Sequence, residues 1–231
     1  MSAILLVVST QLEANPLLRA WGEIRNDHRP PEWSLMPLAC DLDLLITGVS
    51  KANAAGAVAR CVQPHHSCIL NLGIGGTLPG SPAQIGDVVL GTASIFADEG
   101  VPTPQGHFLP CAALGFGLDQ EGKDDCFVPP QRLIQTLSPL ATHQGRIATV
   151  SECSGTDARA AEIVKRTNSI AEGMEGAAVA LVAQRLQRDW AEIRVISNST
   201  GDRDRQVWKV KEAAAKLGSV AKDAVDKVKG T

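Results

Sequence analysis

The chain has 231 residues, 44% of them apolar and 20% charged, with 22 Lys plus Arg against 25 Asp plus Glu. That length and apolar content suit one domain, 1–231, around a single core, and a net charge of -3 supplies no basic surplus for a nucleic-acid backbone. Cys40, Cys61, Cys68, Cys111, Cys126 and Cys153 form neither a Cys-x-x-Cys pair nor a zinc-spaced group, so they read as reduced thiols of a cytoplasmic protein.

The apolar run 4–8 follows no positive segment and stops at Ser9-Thr10-Gln11. It is too short to span a membrane and reads as a buried first strand rather than a signal peptide. Further strands are predicted at 44–47, 68–72, 87–92, 145–150 and 193–196, and helices at 51–61 and 175–186, where turn formers are few. Pro64-His65-His66 between helix and strand reads as a polar loop rather than a metal site. Residues 97–125, rich in Gly and Pro, read as a functional loop that contributes to a subunit contact. From Trp208 onward, Val210, Ala214, Leu217, Val220 or Ala221, Ala224 and Val228 recur at three- and four-residue steps with lysines between them. This predicts a C-terminal helix packed by one face, not a membrane-surface helix. The alternation as a whole predicts an α/β fold with a largely parallel central sheet flanked by helices.

Asn71-Leu72-Gly73-Ile74-Gly75-Gly76 begins like a dinucleotide-binding fingerprint, but Leu78 stands where the third glycine belongs. Pro79, Gly80 and Pro82 prevent a prompt helix start, which argues against a nicotinamide oxidoreductase. Two readings of the glycines stand: a tight turn, or a strand-end loop whose backbone N–H groups, Gly75 among them, approach a sugar hydroxyl, a water or a phosphate.

Five segments in order carry a resemblance. They are Thr47-Gly48-Val49-Ser50-Lys51-Ala52-Asn53, Asn71 to Gly76, Ile85-Gly86-Asp87-Val88-Val89, Gly173-Met174-Glu175-Gly176-Ala177 and Val195-Ile196-Ser197-Asn198. The chain resembles the nucleoside phosphorylase/nucleosidase superfamily, which implies a three-layer phosphorylase/hydrolase-like fold with a mixed, largely parallel sheet. Asn198 through Asp204, with Trp208 beyond, is similar to the futalosine hydrolases of menaquinone biosynthesis; methylthioadenosine/adenosylhomocysteine nucleosidases carry Asp at the position of Asn198. The resemblance implies hydrolysis of futalosine to hypoxanthine and dehypoxanthine futalosine.

Cleaving a ribosyl C–N bond passes through an oxocarbenium-like state, so the sugar must be anchored, the departing base stabilised and a water presented. By resemblance Glu175, beside Met174, anchors the ribose hydroxyls; its alternative is a helix-start carboxylate. Glu13 is the water-activating base or a first-turn helix residue. Asn198 donates to O6 and N7 of a 6-oxopurine. Leaving-group activation falls to Asn198, a water or Asp202, the last of which could instead pair with Arg203 or Arg205. Cys153 and Ser154 supply backbone contacts, without a Cys nucleophile. His107 is the candidate partner for a 5′ substituent.

No metal or organic cofactor is needed by this chemistry. The partners expected are a small-molecule nucleoside and further copies of the chain, in a dimer or tetramer, because relatives complete the 5′ pocket from a neighbouring subunit. Arg19 loosely resembles a phosphorylase arginine but suits the exposed face of a first helix. Alternatives are a methylthioadenosine/adenosylhomocysteine-type nucleosidase, a purine nucleoside phosphorylase and a non-catalytic nucleoside binder.

Overall fold

A computed structural model describes residues 3–23, 30–119 and 125–230. The elements are β1 (Ala3–Val8), α1 (Gln11–Ala20), β2 (Leu35–Ala39), β3 (Leu42–Ile46), α2 (Lys51–Cys61), β4 (His66–Thr77), β5 (Val88–Phe96), β6 (Gly100–Pro102), β7 (Phe108–Pro110), β8 (Cys126–Phe127), α3 (Gln131–Leu137), β9 (His143–Thr149), α4 (Asp157–Thr167), β10 (Ser169–Gly173), α5 (Gly176–Arg185), β11 (Asp189–Ser199) and α6 (Val210–Lys229).

Strand β1 shows why the molecule is layered. Ile4, Leu6 and Val8 enter one apolar cluster while Leu5 and Val7 enter another, so both faces of the strand are covered. On the first face lie α1, α3 and α6, contributing Leu17, Leu133 and Leu217. On the second lie α2 and α5, whose Ala54, Ala57, Ala177 and Ala180 allow close approach to the sheet. Helix α4 covers Ala148 and Val150 with Ala160 and Ile163. The described sheet runs β10-β9-β5-β11-β4-β1-β3-β2, with β8 on β5. It is mixed: β1, β3, β4 and β11 are mutually parallel where paired, and β5 is antiparallel to β11. Strand β10 also returns to pair antiparallel with the end of β4, through Ala171–Thr77 and Glu172–Gly76.

All six expected strands are present, and α2 occupies the expected span. Helix α6 buries Ala213, Ala214, Leu217, Val220, Ala221 and Ala224. Two expectations are corrected. The glycine segment is neither a turn nor a loop, because β4 runs on through Thr77. None of Gly73, Gly75 and Gly76 has a positive φ; a Cβ at Gly73 would collide with Arg194, and one at Gly76 would come within 2.8 Å of Thr200 Cγ2. Close approach, not backbone conformation, demands glycine there. The second correction concerns His66, which is buried in β4 rather than in a polar loop. Its Nε2 lies 2.8 Å from Asp43 and its Nδ1 accepts from the Gln63 N–H, so although Asp43, His65 and His66 cluster, both His66 nitrogens are occupied. The 97–125 stretch forms the β6–β7 hairpin and a one-turn helix at Cys111–Leu114; its residues 120–124 lie outside the described residues.

Candidate active site

The carboxyl ends of β1, β4, β10 and β11 converge on a cavity of about 380 Å³, a size that suits a small-molecule ligand. Its wall includes Glu13, Gly75, Cys153, Ser154, Met174, Glu175 and Asn198. One fold position thus gathers side chains that the sequence spreads from Glu13 to Asn198.

One wall is built from carboxylates. Glu13 is the N3 residue of α1 and closes a capping box with Thr10. Its Oε2 accepts from the Ser9 N–H and Oγ and from the Thr10 N–H and Oγ1, at 2.7–3.2 Å. Its Oε1 accepts from the Ile74 N–H at 2.9 Å, tying α1 to β4. The helix-start reading is therefore correct as structure, and the same side chain reaches the cavity.

Glu175 stands at the N-cap of α5 without capping it. Its Oε1 instead accepts from the Ser50 N–H at 3.2 Å. Ser50 holds φ at 102° to do so, a conformation that costs a non-glycine residue about 1–3 kcal/mol. Burial pushes the Glu175 carboxyl above its ordinary range; Arg194 opposes this and Glu13 adds to it.

Behind this wall Arg194 is wholly buried. Its Nε donates to Glu192 at 2.8 Å, and Nη1 lies 3.6 Å from Glu175 Oε2. Its Nη2 finds no hydrogen-bond partner among the described residues. Glu192, also fully buried, accepts from Ser94 Oγ and lies so close to Gly176 that any side chain there would strike it.

The opposite wall is held by neutral donors. Asn198 follows a bulge at Ser197, where β11 slips register against Gly75 and Gly76 of β4; such bulges re-aim a side chain. The Asn198 Oδ1 accepts from Ser197 Oγ at 2.8 Å and Nδ2 donates to Ser199 O at 2.9 Å. One amide N–H is left for a ligand, not the two the sequence suggested. Glu172 accepts from the Ser154 N–H at 2.9 Å and from its Oγ at 2.6 Å. Gln206 Nε2 donates to Ser154 O, and Trp208 bridges to Asn198 across the rim with Arg203 over its ring.

Two expected residues are not brought to the cavity. Asp202 is absent from the wall; it accepts from the Asp157 N–H and pairs with Arg205, and the backbone hydrogen bond followed by the Arg205 contact holds its carboxyl below its ordinary range. Such an ionised surface group is no proton donor for a leaving base, so the pairing reading of Asp202 replaces the catalytic one. His107 sits exposed in the β6–β7 turn, its N–H donating to Thr103 Oγ1, and does not line the cavity of its own chain. The Cys153 thiol is pushed up to about 11, first by burial and then by Glu172 and Glu175, which keeps it protonated and unsuited to nucleophilic attack. Arg19 lies exposed in the last turn of α1.

Sequence reasoning missed Arg194, Glu192, Glu172 and Gln206. A signal existed for the first two: Glu192 and Arg194 alternate within the apolar run Ala191 to Ile196, and opposite charges two apart in a buried strand share a face.

Residues 39–229 match the model of the phosphorylase superfamily. The futalosine hydrolase of Streptomyces coelicolor is 32% identical over 97% of this chain and 94% of its own length. That of Acidothermus cellulolyticus is 36% identical over 76% of this chain and 71% of its own. Among solved structures, the Neisseria meningitidis 5′-methylthioadenosine/S-adenosylhomocysteine nucleosidase in complex with methylthio-immucillin-A superposes with a TM-score of 0.76 at 24% identity, over 97% of this chain and 99% of that one. A Helicobacter pylori futalosine hydrolase mutant superposes with a TM-score of 0.75 at 16% identity, over 98% of this chain and all of that one, 100%. At those identities the superpositions speak to the fold.

Proposed function

The chain belongs to the phosphorylase superfamily and, within it, to the futalosine hydrolases, and from that premise we propose that it hydrolyses the N-ribosyl bond of futalosine, releasing hypoxanthine and dehypoxanthine futalosine in menaquinone biosynthesis. The observation that carries this reading is that Glu175 and Asn198 face one cavity, with the Asn198 amide locked as a donor.

Each step follows from a named side chain. Glu175 retains acceptor lone pairs for the 2′ and 3′ hydroxyls, and its charge favours the cation developing on the sugar. Glu13 takes the proton of the attacking water, a role typically worth about 10² to 10⁴ in rate. Its five hydrogen bonds hold it in place without a conformational search. The free Asn198 N–H serves the O6/N7 edge of hypoxanthine, where both atoms accept; adenine would set an amino donor against it. Charge arriving on the base as the bond breaks strengthens that hydrogen bond, which assists departure without a proton donor at Asp202; the hypoxanthine anion then takes up a proton from solvent, to which Glu13 returns the one it took from the attacking water. Met174 and the Cys153–Ser154 backbone border the same space.

Water is the nucleophile, since no Lys or Arg belongs to the described cavity wall and Arg194 is engaged behind it. The test is turnover of futalosine and inosine with and without inorganic phosphate. Free sugar product at equal rates in both supports hydrolysis; obligatory phosphate with a sugar 1-phosphate product overturns it.

The enzyme works as one domain in the cytoplasm and as a homo-oligomer. In support, no helix among the described residues is long and apolar enough to cross a membrane, and the β6–β7 region exposes Val101, Leu109, Leu114 and Phe116. Light scattering of the purified chain checks the assembly.

A further inference from the structure

The strained turn that donates to Glu175 is itself fastened from outside the cavity. We infer that Asp98, which is absent from the cavity wall, is a positioning residue: its carboxylate clamps the 48–51 turn to the 151–155 turn and so holds the Ser50 N–H against Glu175 while the ribose reacts. This inference rests on the reading of Glu175 as the ribose anchor and adds the support on which that anchor stands.

The pairing of two strand ends puts Asp98 between the turns. Phe96 closes β5 in register with Thr149 of β9, and the Ala97 N–H donates to Thr149 O at 2.9 Å, so Asp98 emerges beside Ser151. Its Oδ2 accepts from the Ser151 N–H at 2.7 Å. Its Oδ1 accepts from Nζ of Lys51, the first residue of α2. Arg159 of α4 stands 3.8 Å from Oδ2, a second cation on the same carboxylate. The Lys51 and Asp98 side chains are only 12% and 13% exposed, so solvent screens the pair much less than it screens one on an open surface.

Each turn carries part of the site. Cys153 and Ser154 of the second line the cavity. In the first, Val49 lines it and Ser50 presents its N–H to Glu175 Oε1 at φ 102°, a conformation that persists only where its surroundings over-determine it. Local hydrogen bonds stay inside the turn and the start of its helix: Asn53 Nδ2 donates to Val49 O, and the Asn53 N–H to Ser50 Oγ. Among the described residues, the hydrogen bonds that leave 48–51 run from Ser50 to Glu175 and from Lys51 to Asp98 and Glu99. Of the two acids Asp98 also holds Ser151, so it is the group common to both turns. Releasing it frees the peptide that follows Ser50, and the Glu175 carboxylate loses the bond that aims its remaining lone pairs at the ribose diol.

A cycle of variants of the full chain, assayed on futalosine, tests this. Asp98→Ala should lower kcat about 10- to 100-fold, as a small misplacement of a catalytic group does, with KM within about threefold. In a Glu175→Gln background the same change should lower kcat by no more than about threefold, because the group that Asp98 positions is already disabled. Lys51→Met, which leaves the bond from Ser151 to Asp98 in place, should show the same dependence on Glu175, and it carries the test if Asp98→Ala does not fold. An equal loss in both backgrounds, the mark of a merely structural role, would overturn the inference. So would a wild-type kcat in folded Asp98→Ala; either result leaves the hydrolase reading intact. A wild type that cleaves no nucleoside removes both.

Discussion

The two walls of the cavity use buried carboxylates in different ways. On the sugar wall Glu175 and Glu192 surround the guanidinium of Arg194, and Glu13 sits close to it. On the base wall Glu172 is held by the N–H and hydroxyl of Ser154, with no ion pair among the described residues. In the proposed reaction full charge is thus concentrated beside the carbon that becomes cationic, where a low-dielectric setting magnifies it. At the proposed base edge, fixed hydrogen bonds at Glu172 and Asn198 set which of their atoms stay free to accept or donate. Stability and catalysis should be coupled on the first wall and separable on the second.

The largest effect expected from this contrast is on the sugar wall. Arg194→Met leaves Glu192 and Glu175 buried without their cation, a change that should cost about 3–5 kcal/mol in denaturant unfolding. Adding Glu192→Met should recover most of that; no recovery would separate the two residues energetically. Glu175→Gln comes next. It should lower kcat/KM on futalosine by roughly 10²- to 10³-fold while hypoxanthine binding stays within about twofold, and an equal loss of base affinity would merge the two walls.

A third test uses pH. Burial raises the Glu175 carboxyl, and an ionised Glu175 is what the ribose hydroxyls need. The acid limb of kcat/KM should therefore lie above the ordinary carboxylate value of 4.5, falling about tenfold per pH unit below it. Stability should move the other way. A raised folded-state carboxyl binds its proton more tightly than the unfolded chain does, so the contribution of Glu175 and Glu172 is fully present below the unfolded value and is lost as pH rises through the raised ones. Parallel profiles of activity and stability would contradict the assignment. The smallest effect is expected outside both walls: Asp202→Asn should leave kcat/KM within about twofold, since its contacts are Asp157 and Arg205.

How far the sequence could be read depended on whether the deciding contacts were local. Helix α2 was legible to the residue, because Ala-rich propensity and the flanking Gly48 and Pro64 are local facts. Glu13, Glu175 and Asn198 were legible through family resemblance, and the cavity unites them. The continuation of β4 through Gly76 was not legible, since glycine signals a turn until Arg194, Asn198 and Thr200 arrive from more than 100 residues away. Strand β10 escaped notice for a similar reason: Ser169 to Gly173 has little strand character and is recruited by β9 and β4. Asp202 was open to a catalytic and to a pairing reading from its neighbourhood in sequence, and the structure engages its carboxylate with Asp157 and Arg205 at the surface.

Because β4 keeps its ladder of backbone bonds to β10 and β11 through Gly76 and Thr77, the floor beneath the ligand is sheet, with the rigidity of the molecular centre. Amide protons there should exchange with deuterium as slowly as those of β1, whether or not the site is filled. Whatever opening lets a nucleoside enter belongs to the rim, at Leu12, Val49 and Trp208, so inhibitors that gain residence time should do so by gripping that rim, while the floor behaves as a fixed template.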